Sequence, residues 1–326
     1  MKKWFSILKK LIFLYIVLIS PLSYGSIKDH SDQFAFGLVT ETPGFKFSIQ
    51  PYDESNKNHI DYRPNLLATL GFMVSAFGYS FSYLFQLDQT ADEQAKKGKT
   101  SYDDIRLSKF FGSRKQWRVS TYYTRYSGFY IENSHYIDST LGPSDPYIQR
   151  SDLKFLNGGL SLLHIFHPKE FSVAATTNFS DQQTESGGSW LLRLDFDYNS
   201  FRAASALVPV SVQSDFGADA NISRGDFNTL SLLGGYGYSF VYNNFYLNPT
   251  VLIGKGIQQR KYTINGNEES SVHNSTKLNL SGALGYNGET FFTGFMVSFD
   301  QLSFSTGSIK IGSSQEVVRL TVGRRF

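Results

Sequence analysis

The sequence predicts an all-β fold: a single transmembrane antiparallel β-barrel of about 14 strands, with 12 as the smaller alternative. Three observations carry this. Tight turns of one design stand at Tyr198-Asn199-Ser200-Phe201, Tyr242-Asn243-Asn244-Phe245 and Tyr286-Asn287-Gly288-Glu289-Thr290-Phe291, evenly spaced by 44 residues. In each, an aromatic closes one alternating stretch and another opens the next, while Asn and Gly supply the positive φ of short hairpins. Paired rings at strand ends suit the headgroup level of a bilayer. Second, stretches of about ten residues alternate large apolar side chains with Gly, Ser or charge, and about 9–11 tilted residues span a bilayer. Third, the chain ends on an aromatic, Phe326, after such a stretch.

The N-terminus reads as a secretory signal peptide over residues 1–25. Lys2, Lys3, Lys9 and Lys10 flank the start of an apolar run from Leu11 to Ile19, and Ser23-Tyr24-Gly25 supplies the small residues for cleavage after Gly25. Its removal turns a formal charge of +3 into −1, which excludes nucleic acid as a partner. Cysteine is absent, so disulfides, thiolate chemistry and cysteine metal sites are excluded. Aromatics reach 16% against 18% charged residues, and no apolar run after Ile19 is long enough for a membrane helix. Residues 26–44 read as a short periplasmic lead and 45–326 as the barrel.

Strands are expected near 45–51, 65–76, 77–87, 102–111, 116–126, 152–166, 171–179, 189–198, 201–209, 229–242, 245–256, 276–286, 291–300 and 316–326. The faces separate cleanly in 190–198, where Trp190, Leu192, Leu194, Phe196 and Tyr198 oppose Arg193, Asp195 and Asp197. A charge is costly against lipid and comfortable in a wet lumen. Arg106, Arg193, Asp195, Asp197 and Arg319 are therefore expected to face inward as a lumen ion-pair network. Connections alternate between tight (76–78, 112–115, 167–170 and the three Asn turns) and long (52–64, 88–101, 127–151, 180–188, 210–228, 257–275 and 301–315). That alternation puts short turns and both termini in the periplasm. Val318, Leu320, Val322 and Phe326 share one face, and a terminal aromatic in this setting resembles the signal read by the barrel assembly machinery. Arg324 stands where that signal has an aromatic or apolar residue.

Several short segments carry a resemblance: Tyr62-Arg63-Pro64-Asn65, Leu70-Gly71-Phe72, Gly128-Phe129-Tyr130, Arg150-Ser151-Asp152-Leu153, Phe171-Ser172 and Gln183-Thr184-Glu185-Ser186-Gly187-Gly188-Ser189. In order and content they resemble a family of secreted bacterial β-barrel proteins known only as a domain of unknown function. The resemblance covers roughly residues 45 to 200. It implies a barrel in the outer envelope and brings no activity.

On the expected topology three of these motifs fall on the long-loop side. One reading makes them shapers of turns and strand tops, with Pro64 fixing φ and Gly128, Gly187 and Gly188 allowing bends. The other has Tyr62, Asn65, Tyr130, Gln183 and Ser189 lining an external mouth for a small polar solute or a glycan. Catalytic patterns are thin: His164 lies near a short turn, on the face opposite Ser161, and neither a cofactor nor a metal is implied. A pore, transporter or surface-binding protein among outer-membrane lipid is the leading functional expectation. The alternatives are a lipid- or lipopolysaccharide-modifying enzyme and a soluble periplasmic β-sandwich or lectin.

Overall fold

The computed structural model describes residues 26–52, 58–305 and 308–326, so the expected signal peptide lies outside the described residues. Twelve antiparallel strands close into one barrel. In chain order they are β2 (Ala35–Pro51), β4 (Thr69–Ala76), β5 (Tyr79–Gln86), β6 (Ser101–Phe111), β7 (Trp117–Ile131), β8 (Gln149–Ile165), β10 (Gly187–Arg202), β11 (Ile222–Tyr242), β12 (Phe245–Ile264), β13 (Asn267–Asn287), β14 (Phe291–Ser305) and β15 (Ile309–Arg325). The short β3 (Ile60–Arg63) bridges β2 and β7 above the stunted β4–β6. A separate pair joins β1 (Ile27–Asp29) to β9 (Asp181–Gln183). Pairing of β15 with β2 from Arg325↔Ala35 to Ile309↔Pro51 closes the wall, as lipid demands, since an open edge leaves backbone groups unsatisfied there. Below it, Phe326 and Phe34 exchange backbone bonds of 3.2 and 2.8 Å.

Outward side chains form an apolar band, including Trp190, Leu192, Leu194 and Phe196 on β10, Leu247, Val251 and Ile253 on β12, and Val318, Leu320 and Val322 on β15. At the end that holds both termini, here the base, exposed rings of Phe34, Phe77, Tyr79, Phe111, Phe166, Tyr242, Phe245, Phe291 and Phe326 make a girdle. Such a band with an aromatic rim is matched by a bilayer and not by water. Toward the other end, the crown, β11–β13 run beyond the band, and Asn265-Gly266 turns with both φ positive. The expected alternation in β10 holds: Arg193 and the buried Asp195 and Asp197 lie inside, opposite Leu192 and Leu194.

Among the described residues the barrel has 12 strands, the smaller of the two expected counts, because two of the fourteen listed stretches are not separate strands, and four expectations need correction. Residues 171–179 are not a strand: 166–186 form one inward-folded segment with the four-residue helix α1 (Ala174–Thr177). Tyr198–Phe201 is not a turn, since β10 runs through it, pairing Asn199 with both Asn157 and Phe227; β10 consequently ascends where a descending strand was expected. The long loop 257–275 is instead the hairpin of β12 and β13. Finally, the barrel begins at Ala35, ten residues before the expected boundary at 45. The remaining strands keep their expected order, because the two missing ones cancel in parity.

Proline at 249 does not end its strand. Pro249 still pairs with Gly282 of β13, while the ladder to β11 lapses between Gly237↔Thr250 and Phe240↔Leu247. The side chain of Asn248 fills that gap by donating to Ser239 Oγ at 2.7 Å.

Candidate functional site: a stoppered lumen

Two chain segments fold into the barrel, one at each end. The crown stopper is 203–221, built on 3-10 turns at Val210–Asp215 and Gly217–Asn221. Its Leu207, Val208, Val212, Phe216 and Ala220 are buried in one apolar cluster with Phe47, Ile49, Tyr62, Phe155, Phe201 and Phe227. Ring centroids of Phe47 lie 4.6 Å from Phe155 and 5.4 Å from Phe201. At the rim, Arg150 Nη1 donates to Ala206 O at 3.0 Å, and Asp152 accepts the amide of Ala204 at 3.0 Å.

The base stopper is 166–186. Phe171 packs on Leu163, Ile165, Leu191, Leu233 and Leu252, and Phe179 stacks on Phe292 with centroids 4.3 Å apart. Its other ties are polar. Asn287 Nδ2 donates to the carbonyls of Ala175 and Asp181, each at 2.9 Å. Arg325 Nε donates to Phe179 O at 2.8 Å, and its other nitrogens bind Gly288 O and Asn287 Oδ1. Ser75 Oγ donates to Asn178 O at 2.8 Å. Lys115 pairs with Asp29 at 2.6 Å and with Asp181, clamping β1 to the stopper's own strand β9.

Between the stoppers lies a chamber of about 420 Å³, with Phe171, Val173, Thr176, Thr177 and Phe179 as floor and Phe45 toward the crown. Arg106, Arg193, Asp195, Asp197, Lys277 and Arg319 line its wall and belong to two ion-pair sets. Glu41, fully buried, accepts from Arg106 at 2.9 Å and from Arg319 at 2.6 Å, while Arg106 also pairs with Asp104. Asp195 accepts from Arg193 at 3.0 Å and from Lys277 at 2.8 Å, and Lys277 reaches Asp197 at 2.6 Å. All five expected lumen residues thus face inward. Sequence reasoning missed Glu41, which was placed in the lead; an acid in the otherwise apolar alternation of 35–45 was the available signal, whereas Lys277 was legible from its place opposite Leu278 and Leu280.

The five expected mouth residues are not brought together. Tyr62 is buried in the crown cluster and its hydroxyl donates to Leu207 O. Asn65 ties loops, donating to Glu93 O at 3.1 Å and Gly98 O at 2.8 Å. Tyr130 faces Tyr147 with centroids 5.0 Å apart. Gln183 and Ser189 lie at the opposite end from the expected one, a correction that follows from the absent strand at 171–179. Gln183 Nε2 donates to Glu170 O at 2.9 Å, and Ser189 Oγ accepts from His167 N at 2.9 Å. Their hydrogen-bonding capacity is spent on shaping the chain. His164 points outward against Trp117 at 4.2 Å. Among the described residues, no group of three or more His, Asp or Glu side chains could hold a metal ion.

The family model described as Domain of unknown function (DUF4421) matches residues 26–326, so the chain belongs to that family. No curated protein matches the chain. Among solved structures, it is similar to the outer membrane protease OmpT of Escherichia coli, at 8% identity and a TM-score of 0.41, covering 94% of this chain and 99% of that one. It is also similar to the Pseudomonas putida toluene transporter TodX (7%, TM-score 0.29, 90% of each chain) and to Ail, the attachment invasion locus protein of Yersinia pestis (12%, TM-score 0.21, 90% and 99%). At such identities and TM-scores these likenesses bring neither an activity nor a ligand.

Proposed function

We propose that this DUF4421 member is an outer-membrane barrel that handles a small polar solute in a closed chamber, admitted past the base stopper. Its base, with the short turns and both termini, faces the periplasm; residues 1–25 are removed as a signal peptide; and Phe326 serves the assembly machinery as the terminal signal. The observation that carries the reading is the charged chamber held between two stoppers of unlike make. An open pore would need a continuous wet lumen, and a surface-binding protein would have no use for a polar chamber closed at both ends. The apolar outer band speaks against a soluble β-sandwich. Among the described residues the serine and histidine that meet, Ser271 Oγ and His273 Nε2 at 3.2 Å, are exposed on β13 and outside the chamber lining, so they give an enzymatic reading no enclosed site.

Conductance of the purified chain in a planar bilayer tests this. The parent is expected to sit closed, with at most rare openings. A steady open-channel current would refute the stoppered reading. For the terminal signal, deleting Phe326 is expected to lower the fraction that resists unfolding in a detergent gel at room temperature; unchanged assembly would remove that role.

A further inference from the structure

Four of the cations on the chamber wall have a carboxylate partner: Arg106, Arg193, Lys277 and Arg319. Arg118, on β7, has none among the described residues. Its guanidinium lines the chamber, its Nε is buried without a hydrogen-bond partner among them, and its Cζ lies 5.4 Å from the ring centroid of Phe110. Its neighbours in register, Phe110 and Leu163, are apolar. The next inward row toward the crown is hydroxylic: Ser108, Ser120 and Ser161 are register partners across β6, β7 and β8, and all three line the chamber. Asp300, the lining carboxylate without a cation within ion-pair distance among the described residues, sits half the barrel away on β14, held by Asn279 at 3.0 Å. It does not neutralise Arg118.

From this arrangement we infer that the chamber is a binding site for a small organic or inorganic anion, a carboxylate or a phosphoryl group seated on Arg118 with Ser108 and Ser120 beside it. A guanidinium offers five N–H donors in a planar fork suited to both groups. An unpaired charge inside a protein is costly, so the site lacks the counter-ion that would complete it. Pockets for small ligands begin near 300 Å³, so about 420 Å³ admits a molecule the size of a short dicarboxylate or a sugar phosphate. The inference deepens the solute-handling reading and rests on it, naming the solute class.

The test refolds the full chain from urea into detergent, so that the chamber closes around whatever is present. Inorganic phosphate, succinate or a neutral sugar is added at constant ionic strength, and the midpoint of heat unfolding is read. Phosphate or succinate should raise the parent midpoint by about 5 °C and the sugar should leave it in place. Arg118→Met removes an unpaired charge, so it should fold with an unchanged or higher midpoint and show no anion shift. A parent that no anion stabilises, or an Arg118→Met variant that gains as much as the parent, overturns the site. Conductance on the same preparation keeps the two ideas apart: a closed parent without an anion shift sinks the site alone, and an open parent sinks the stoppered barrel.

Discussion

The crown and the base are closed by segments of similar length and opposite chemistry. The crown stopper buries Leu207, Val208, Val212, Phe216 and Ala220, and no polar side chain of 203–221 is buried among the described residues. The base stopper buries Phe171, Ala174, Ala175 and Phe179 together with six polar side chains: Ser172, Asn178, Ser180, Asp181, Gln182 and Gln183. Opening the crown exposes apolar area, which water does not compensate. Opening the base exchanges internal hydrogen bonds for bonds to water, and the net value of each is only about 0.5–1.5 kcal/mol. The crown is therefore built as a core and the base as a latch.

The largest effect should come from breaking the core. Phe47→Ala empties the centre of the aromatic cluster, and buried Phe→Ala changes cost about 3–5 kcal/mol. A large fall in the heat-unfolding midpoint is expected. A change within about 0.5 kcal/mol would mean that the crown is loosely packed and that the contrast with the base is false.

A smaller stability loss with a larger functional one is expected at the latch. Arg325→Met removes the donors to Phe179 O, Gly288 O and Asn287 Oδ1. Hydrogen bonds from a charged group are worth about 1.5–3 kcal/mol, softened here by water reaching the freed carbonyls. Hydrogen exchange of 171–183 should quicken while that of 205–220 stays slow. Equal quickening at both ends would show that the stoppers open as one unit.

The smallest effect is on pH. Burial, then the nearby charge of Arg325, holds the imidazole of His30 below its ordinary value; the ring faces Gln182 Oε1 at 3.5 Å. A depressed folded-state value favours the neutral ring, so the associated stability is full above about pH 6.5 and is lost as pH falls below it. Burial raises the Asp29 carboxyl, but the hydrogen bonds from Lys115 and Ser31 outweigh it and hold the group below its usual value. Its contribution is therefore lost only below about pH 4. Between pH 7.5 and 5.5, protection from exchange at 27–29 and 181–183, taken relative to the intrinsic rate at each pH, should fall modestly and that of the crown should not. His30→Asn should abolish the response; if it persists, another group is titrating.

Most of the wall was legible in the sequence, and neither stopper was. In the membrane band, lipid outside and water inside impose period two, so Leu192 and Leu194 against Arg193 and Asp195 could be read directly. Both stoppers pack within the barrel, so their apolar residues imitate strands: Phe171, Val173 and Phe179 before β10, Ala206–Val210 after it. Turn residues and lumen residues are moreover of one kind. Asn199 lines the chamber and Ser200 Oγ donates to Asp226 at 2.8 Å, so a run that reads as a hairpin is strand interior. Beyond the membrane band the outward face of β12 and β13 is polar as well, and the alternation that marks a strand fades over 258–275. Arg118 escaped notice for a different reason: what singles it out is a missing partner, which only the fold reveals.

Because the chain has no cysteine, Ser120→Cys places a single thiol on the chamber wall. Its labelling rate by a small, membrane-impermeant thiol reagent tests the central claim directly. A chamber latched at its base gives protection in the otherwise native barrel, labelling at least tenfold faster when Arg325→Met is added, and no comparable gain for reagent confined to the outside of intact cells. Rapid labelling without the latch change, or labelling from outside as fast as after permeabilisation, would contradict a chamber latched at its base.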